Sequence, residues 1–217
     1  MEDLDLIHSK TRDAYNLAAD KYHNLFHNEM SEKEFDRSLL DNFAGKLPKG
    51  SLICDAGCGP SAHIGRYLFD KGIDVIGVDI SDRCIELAST LNPEMKFKCN
   101  DMAKMDFESN YFDAVISYYS IIHTPKSFVN KLFNEFYRIL KPNGYLLLAV
   151  KIGTEEGIQS QLIGIDTEIY FSLFTLKEIM DYFKNAGFDL DFIEKRNPYD
   201  FEIKNERIFA IGQKLMI

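Results

Sequence analysis

Residues 52–61 read Leu-Ile-Cys-Asp-Ala-Gly-Cys-Gly-Pro-Ser. A short continuous apolar run, Leu52 to Cys54, meets an acid, Asp55, and then two glycines, Gly57 and Gly59. Continuous rather than alternating hydrophobicity marks a strand buried on both faces, as in a parallel sheet covered by helices. The glycines permit a tight turn and leave no Cβ between the backbone and a ligand. Ile64 and Leu68 then mark a helix that stops at Gly72, so the stretch opens a βαβ unit.

The same alternation continues outward. Ile73 to Val78 is a second apolar run ending at Asp79, and Ser81 is placed to cap a helix carrying Ile85 and Leu87. Met95 to Cys99 is a third, weaker strand ending at Asn100-Asp101, and Phe112 to Ser117 is a fourth. Thr124-Pro125 opens a helix with Phe128, Leu132, Phe136 and Leu140 on one face, with proline in the first turn. Lys141-Pro-Asn-Gly144 is a turn, and Tyr145 to Val150 a fifth strand. Upstream, the first 45 residues read as helix. Tyr15, Ala18, Ala19, Tyr22 and Phe26 share a face, and Ser31-Glu-Lys-Glu34 has the form of a capping box ahead of Phe35, Leu39 and Phe43. Downstream, 152–174 is irregular, and Thr175-Leu-Lys-Glu178 is a second capping box whose helix ends at Gly187. Phe188 to Arg196 and Arg207 to Lys214 close the chain as two strands. Their connection carries Pro198 and no helical pattern, so they can pair antiparallel. The prediction is an α/β fold, a doubly wound Rossmann-like seven-stranded sheet with an antiparallel C-terminal hairpin and an N-terminal helical lid. One domain is expected, divided into a lid (1–45), a core (50–151), a cap segment (152–174) and the last helix and hairpin (175–217).

Composition narrows the partners. Among 217 residues, 34 Asp and Glu against 25 Lys and Arg give a net charge of −9, which repels phosphate backbones and argues against nucleic acid. No apolar run reaches the roughly 18 residues of a membrane span. The acidic start does not resemble a secretory signal. Cys54, Cys58, Cys84 and Cys99 show no zinc-site spacing with histidine and read as free buried thiols, so the cytoplasm is the expected compartment and no metal is expected.

In an open α/β sheet, ligands bind beyond the carboxyl ends of the strands. Asp79 ends the second strand about 20 residues after Gly57, where an acid can accept both hydroxyls of a ribose. Asp101-Met102 can offer an acceptor to an exocyclic amine and an N–H to a ring nitrogen. Together these positions read as an adenosine site.

The order Ile53-Cys-Asp-Ala-Gly-Cys-Gly, Val75-Ile-Gly-Val-Asp-Ile-Ser, Asn100-Asp-Met, Phe112-Asp-Ala-Val-Ile and Leu140-Lys-Pro-Asn-Gly-Tyr-Leu-Leu resembles the class I S-adenosylmethionine-dependent methyltransferases over about residues 50–151. Asp13 to Tyr22 is similar to the lid helix of small-molecule members. Tyr119-Ser-Ile-Ile-His-Thr-Pro125 and Arg196-Asn-Pro-Tyr199 look like those of a bacterial branch. The resemblance implies S-adenosylmethionine as cofactor, with Gly57 and Gly59 around the methionine moiety, Asp79 at the ribose, and Asp55 and Ile80 also among the cofactor-binding residues. Asp101 and Met102 would meet adenine, and the backbone near Ser117 and Tyr118 the amino group. Ser61 replaces a third glycine common in relatives, and Asn143 occupies a glycine turn; both are mild departures.

The expected reaction is in-line methyl transfer to a small-molecule acceptor. Tyr15 and Tyr22 either line the sulfonium side of the pocket or pack the lid onto the sheet. His123 is the candidate base, its ordinary pKa lying nearest neutrality, or else it orients the helix that follows. Tyr119, Glu168 and Tyr170 are candidate acceptor contacts. His63 either binds phosphate or packs beside the glycine loop, and His8, His23 and His27 are solvated or lid residues. Two alternatives stand. Gly57-Cys-Gly-Pro-Ser-Ala62 fits G-x-G-x-x-A, so an NAD(P)-dependent oxidoreductase is one. A non-catalytic cofactor-binding module is the other.

Overall fold

The computed structural model describes residues 3–216. Five strands run parallel: β1 (Leu52–Ala56), β2 (Asp74–Asp79), β3 (Lys96–Cys99), β4 (Phe112–Tyr118) and β5 (Leu140–Lys151). A separate two-stranded hairpin follows, β6 (Glu156–Leu162) and β7 (Ile165–Ser172). The chain then adds β8 (Phe188–Arg196) and β9 (Arg207–Lys214), antiparallel to each other. The large sheet has the order β3-β2-β1-β4-β5-β9-β8. The order reverses between β1 and β4, and a crevice forms at such a point.

Among the described residues there are six α-helices, α1 (Leu4–Phe26), α2 (Glu34–Lys46), α3 (His63–Phe69), α4 (Asp82–Leu91), α5 (Lys126–Ile139) and α6 (Leu176–Asn185), of which α2 to α6 cover the sheet. The central strands β1, β4 and β5 are largely apolar because both faces are covered there. On one face Phe43 of α2 and Leu68 of α3 pack on Ile53, Ile116 and Leu147. On the other, Phe133 and Phe136 of α5 and Phe183 of α6 pack on Cys54, Val115 and Leu148. Each such buried aromatic or aliphatic side chain contributes roughly 1.5–3 kcal/mol. The described residues contain no helix long and apolar enough to cross a membrane, and no group of three metal-ligating side chains.

The helix starts show which local signals hold. Ser81 caps α4 by accepting from the Cys84 N–H, and the Thr175–Glu178 capping box is complete. The capping box at Ser31 does not form. Ser31 lies in a short 3₁₀ turn and gives its hydroxyl to the Asn28 carbonyl, so α2 begins at Glu34 without a side-chain cap. Arg37 reaches back instead to the carbonyls of Met30 and Ser31. Pro125 sits at the cap position ahead of α5 rather than inside its first turn.

The segment expected to be irregular holds the β6–β7 hairpin. Its turn, Ile163-Gly164, has positive φ at both residues, the geometry that matches strand twist. A β-branched residue rarely adopts it, which is why the turn does not announce itself. Ala14 and Ala18 of α1 pack against Leu162 and Ile169 of this hairpin. The Pro142-Asn143-Gly144 turn is absorbed as an irregularity within β5, with Asn143 left-handed at φ +64°. Cys54, Cys58 and Cys84 are buried free thiols, but Cys99 is exposed, because the outer strand β3 lacks a cover there.

Candidate functional site

The crevice between the ends of β1 and β4 encloses about 740 Å³, counting space open to solvent. Gly57 and Gly59 form its floor. Gly57 has φ +81°, and a Cβ there would stand 2.2 Å from the Ser120 Cβ. Gly59 has φ +64° with no atom within 4 Å of a would-be Cβ, so it borders open space. Asp79, at the end of β2, is buried. Its two oxygens accept from the Gly59 and Ser81 N–H groups, each at 2.9 Å. Burial pushes its pKa up against those two bonds. Four lone-pair sites on a carboxylate and two used leave capacity for a diol. Asp55 is buried behind the loop, accepts from the Gly65 N–H at 3.0 Å, and is pushed up to about 6 by burial.

The mouth is closed by α1. Tyr15 and Tyr22 line the crevice with ring centres 5.8 Å apart. His123 lines it from the turn after β4. The His123 Nδ1 lies 2.8 Å from the Tyr170 carbonyl oxygen, which can only accept, so Nδ1 carries the proton. That leaves a lone pair on Nε2, which accepts the Tyr15 hydroxyl at 2.9 Å. Burial lowers the His123 pKa to about 4, so the ring is neutral at pH 7. A folded-state pKa below the unfolded value means this group's stability is present above pH 6.5 and is lost as pH falls toward 4. The loss is roughly 3 kcal/mol from the linkage relation. Urea midpoints taken from pH 7 to pH 4 should fall more steeply for the wild type than for His123→Gln. Parallel profiles would show that His123 is not held neutral.

Ile80, Met102, Tyr118 and Tyr119 also line the crevice. Tyr118 donates its hydroxyl to Asp36 at 2.7 Å, so the phenol is engaged with α2. Four predicted positions fall elsewhere. Asp101 stands outside, in a surface hollow on the other side of Ile80 with His8 and Arg12. The His8 Nδ1 lies 2.8 Å from one of its oxygens and the Ala103 N–H bonds the other. Ser117 is fully buried and shares a 2.6 Å bond with the Ser120 hydroxyl. Glu168 is not a pocket residue. It is exposed on β7 and pairs with Lys10, at a point where the pairing of β7 with β6 shifts register. Tyr170 is buried and lines a different, apolar pocket between α1 and the hairpin, although its carbonyl holds His123.

Sequence reasoning missed Ser120 and Glu29, both of which line the crevice. Ser120 follows Tyr119, whose φ of +56° no residue pattern signals. Glu29 pairs with His63 at 2.8 Å and Lys33 at 2.8 Å. Burial pushes Glu29 up, but those partners outweigh it and hold its pKa below the usual value. His63 therefore packs beside the glycine loop with Glu29 as its partner. His8 is buried between Asp101 and Thr124 rather than solvated. His23 meets Ser61 at 3.0 Å, so the serine that replaces a glycine is tied to α1.

Residues 54–148 match a family described as a methyltransferase domain. The chain belongs to the class I S-adenosylmethionine-dependent methyltransferases. Within that methyltransferase family it is 30% identical to the sterol 24-C-methyltransferase of Saccharomyces cerevisiae, over 72% of this chain and 44% of that one. It is 31% identical to phosphoethanolamine N-methyltransferase 2 of Caenorhabditis elegans, over 80% of this chain and 41% of that one. The chain thus spans about half the length of the curated relatives it matches. In fold it matches the 1,6-didemethyltoxoflavin-N1-methyltransferase of Burkholderia thailandensis, a structure with bound S-adenosylhomocysteine. The TM-score is 0.76 at 14% identity, covering 100% of this chain and 92% of the other.

Proposed function

We propose that this methyltransferase binds S-adenosylmethionine in the crevice at the β1–β4 reversal and methylates a small-molecule acceptor by in-line displacement. The observation that carries the reading is Asp79, a buried carboxylate fixed by two backbone N–H groups beside a glycine floor that a Cβ would obstruct. The residues fit the cofactor's parts. Asp79 would hold the ribose hydroxyls, Gly57 and Gly59 would admit the methionine portion, and Ile80 and Met102 would flank adenine. Asp101 reaches adenine in this reading only by exchanging its His8 bond.

The bound cofactor supplies a methyl group already activated on a sulfonium, so alignment is the main contribution left to the chain. Holding two reactants in register lowers a barrier by about 7–11 kcal/mol. The Tyr15 and Tyr22 rings exclude water, and an aromatic face beside a cation adds about 0.5–2 kcal/mol. His123 fixes the Tyr15 hydroxyl and carries the Nε2 lone pair that a general base needs. It becomes free to take an acceptor proton once Tyr15 releases it. Tyr119 lies toward the acceptor. The whole chain acts as one methyltransferase unit, with α1 and the 3₁₀ turn as lid and the β6–β7 hairpin as cap. A reducing, cytoplasmic compartment suits its four free thiols.

Neither the matched domain nor the relatives named above favours the oxidoreductase alternative. Calorimetry tests the reading directly. S-adenosylhomocysteine and S-adenosylmethionine should both bind and NAD(H) should not. Incubation with methyl-labelled cofactor and a metabolite extract should then yield a labelled product. NAD(H) binding alone would reverse the assignment, and cofactor binding with no product from any pool would leave a binding module.

A further inference from the structure

One cation near the crevice lacks a partner. Where β5, β9 and β8 meet the open edge of the sheet, Lys151 is opposite Arg207, and Arg207 is opposite Arg196. Residues directly opposite share a face, and like charges there repel. Lys33, at the start of α2, is a fourth cation in the same electrostatic neighbourhood. Three carboxylates answer these four. Glu202 binds Arg196 at 2.7 Å, Lys33 at 3.1 Å and Arg207 at 3.4 Å. Asp36 binds Arg196 at 3.2 Å, and Glu29 binds Lys33 at 2.8 Å. The Lys151 ammonium has no hydrogen bond or ion pair among the described residues, although burial lowers its pKa. The cluster therefore sets four cations against three carboxylates, and the half-buried Lys151 is the one left without a partner among the described residues.

A second observation points the same way. The Tyr119 hydroxyl is buried without a hydrogen-bond partner, and Tyr119 lines the crevice. Its N–H is held by the Ala149 carbonyl at 2.8 Å, and Ala149 shares a strand face with Lys151. Lys151 is electrostatically felt by His123 and feels Glu29, both crevice residues. An unfilled O–H donor on a crevice residue, and an unneutralised ammonium that lies outside the crevice lining but two positions along β5 from the residue that holds Tyr119, thus share one neighbourhood.

We propose that Lys151 and the Tyr119 hydroxyl form an anion subsite, so that the acceptor carries a compact oxyanion, a carboxylate or a phosphate monoester. A lysine ammonium is a point charge suited to either group, and a phenol O–H supplies a directed second bond. Calling the ligand an acceptor rests on the methyl-transfer reading; the subsite itself does not.

Calorimetry on the full chain separates the two. S-adenosylhomocysteine is titrated first, and its failure to bind counts against the methyl-transfer reading alone. Benzoate, benzyl alcohol and inorganic phosphate are then titrated with and without it. Benzoate or phosphate should bind the wild type while benzyl alcohol binds at least tenfold more weakly, and the arm that binds tells carboxylate from phosphate. Lys151→Met should weaken that binding at least tenfold, and Tyr119→Phe should weaken it to a smaller degree. Lys151→Met should also match or exceed the wild type in thermal midpoint, since it removes an unpaired cation facing Arg207. Absence of oxyanion binding to the wild type overturns the proposal. So does equal oxyanion binding by Lys151→Met, or a Lys151→Met that is less stable and binds as before.

Discussion

Asp79→Ala is expected to weaken S-adenosylhomocysteine binding by at least 100-fold while the far-ultraviolet circular dichroism stays unchanged. The carboxylate accepts the Gly59 and Ser81 N–H groups and keeps lone pairs for two further donors. Hydrogen bonds to a charged group contribute about 1.5–3 kcal/mol each, so losing a ribose pair removes 100-fold or more. Alanine also frees Gly59, so the floor itself loosens. The apo fold should tolerate the change, because burial already disfavours the charged side chain. Calorimetry decides. An affinity within fivefold of the wild type would remove Asp79 from the cofactor site.

Gly57→Ala should give the largest loss of stability of any single methyl addition in the glycine loop. The new Cβ would lie 2.2 Å from the Ser120 Cβ and 2.9 Å from its Oγ. Ser120 cannot step aside freely, since its hydroxyl is bonded to the Ala56 carbonyl at 2.7 Å and to Ser117. Overpacking of this kind costs about 1–3 kcal/mol, and a left-handed alanine adds roughly 1–2 kcal/mol. Urea unfolding should therefore show a drop of about 2–5 kcal/mol. Gly59→Ala provides the contrast. It shares the left-handed conformation but meets nothing within 4 Å, so it should lose only the roughly 1–2 kcal/mol of backbone strain and should lose cofactor affinity as well. The Gly57→Ala, Ser120→Gly double variant should recover part of the loss, as expected when two side chains compete for one space. If the two single variants behave alike in both assays, the glycines do not divide these roles.

Much of the cofactor half was legible because its signals are local. A strand ending in an acid and two glycines needs only a few residues to state itself, and Asp79 follows at a spacing that a βα unit imposes. The acceptor half is assembled from distant segments, and there the reading weakened. Glu168 and Tyr170 share a parity, yet one is exposed and the other buried, because the β6–β7 register shifts between the Gln161–Asp166 and Gln159–Ile169 pairs, and a hairpin whose turn is Ile163-Gly164 hides that irregularity. Asp101 has the sequence context of an adenine contact, yet His8, far away in the chain, occupies its carboxylate. Lys33 is buried, and its ion pairs to Glu29 and to the distant Glu202 accompany that burial. Ser31 shows the converse error. Its box has the right letters, but the Asn28 carbonyl offers its hydroxyl a nearer acceptor.

Helix α1 touches every part of this arrangement. His8 meets Asp101, Tyr15 meets His123, Asn16 and Asp20 meet Ser81 and Arg83, and Ala14 and Ala18 meet the hairpin. A 23-residue helix is a stiff rod about 35 Å long, and it cannot let go of one end of the crevice while gripping the other. Admission of the two reactants and departure of the two products thus share a single gate. If α1 moves as one body to admit the reactants, a more viscous solvent should slow the steady state without slowing a single enclosed cycle.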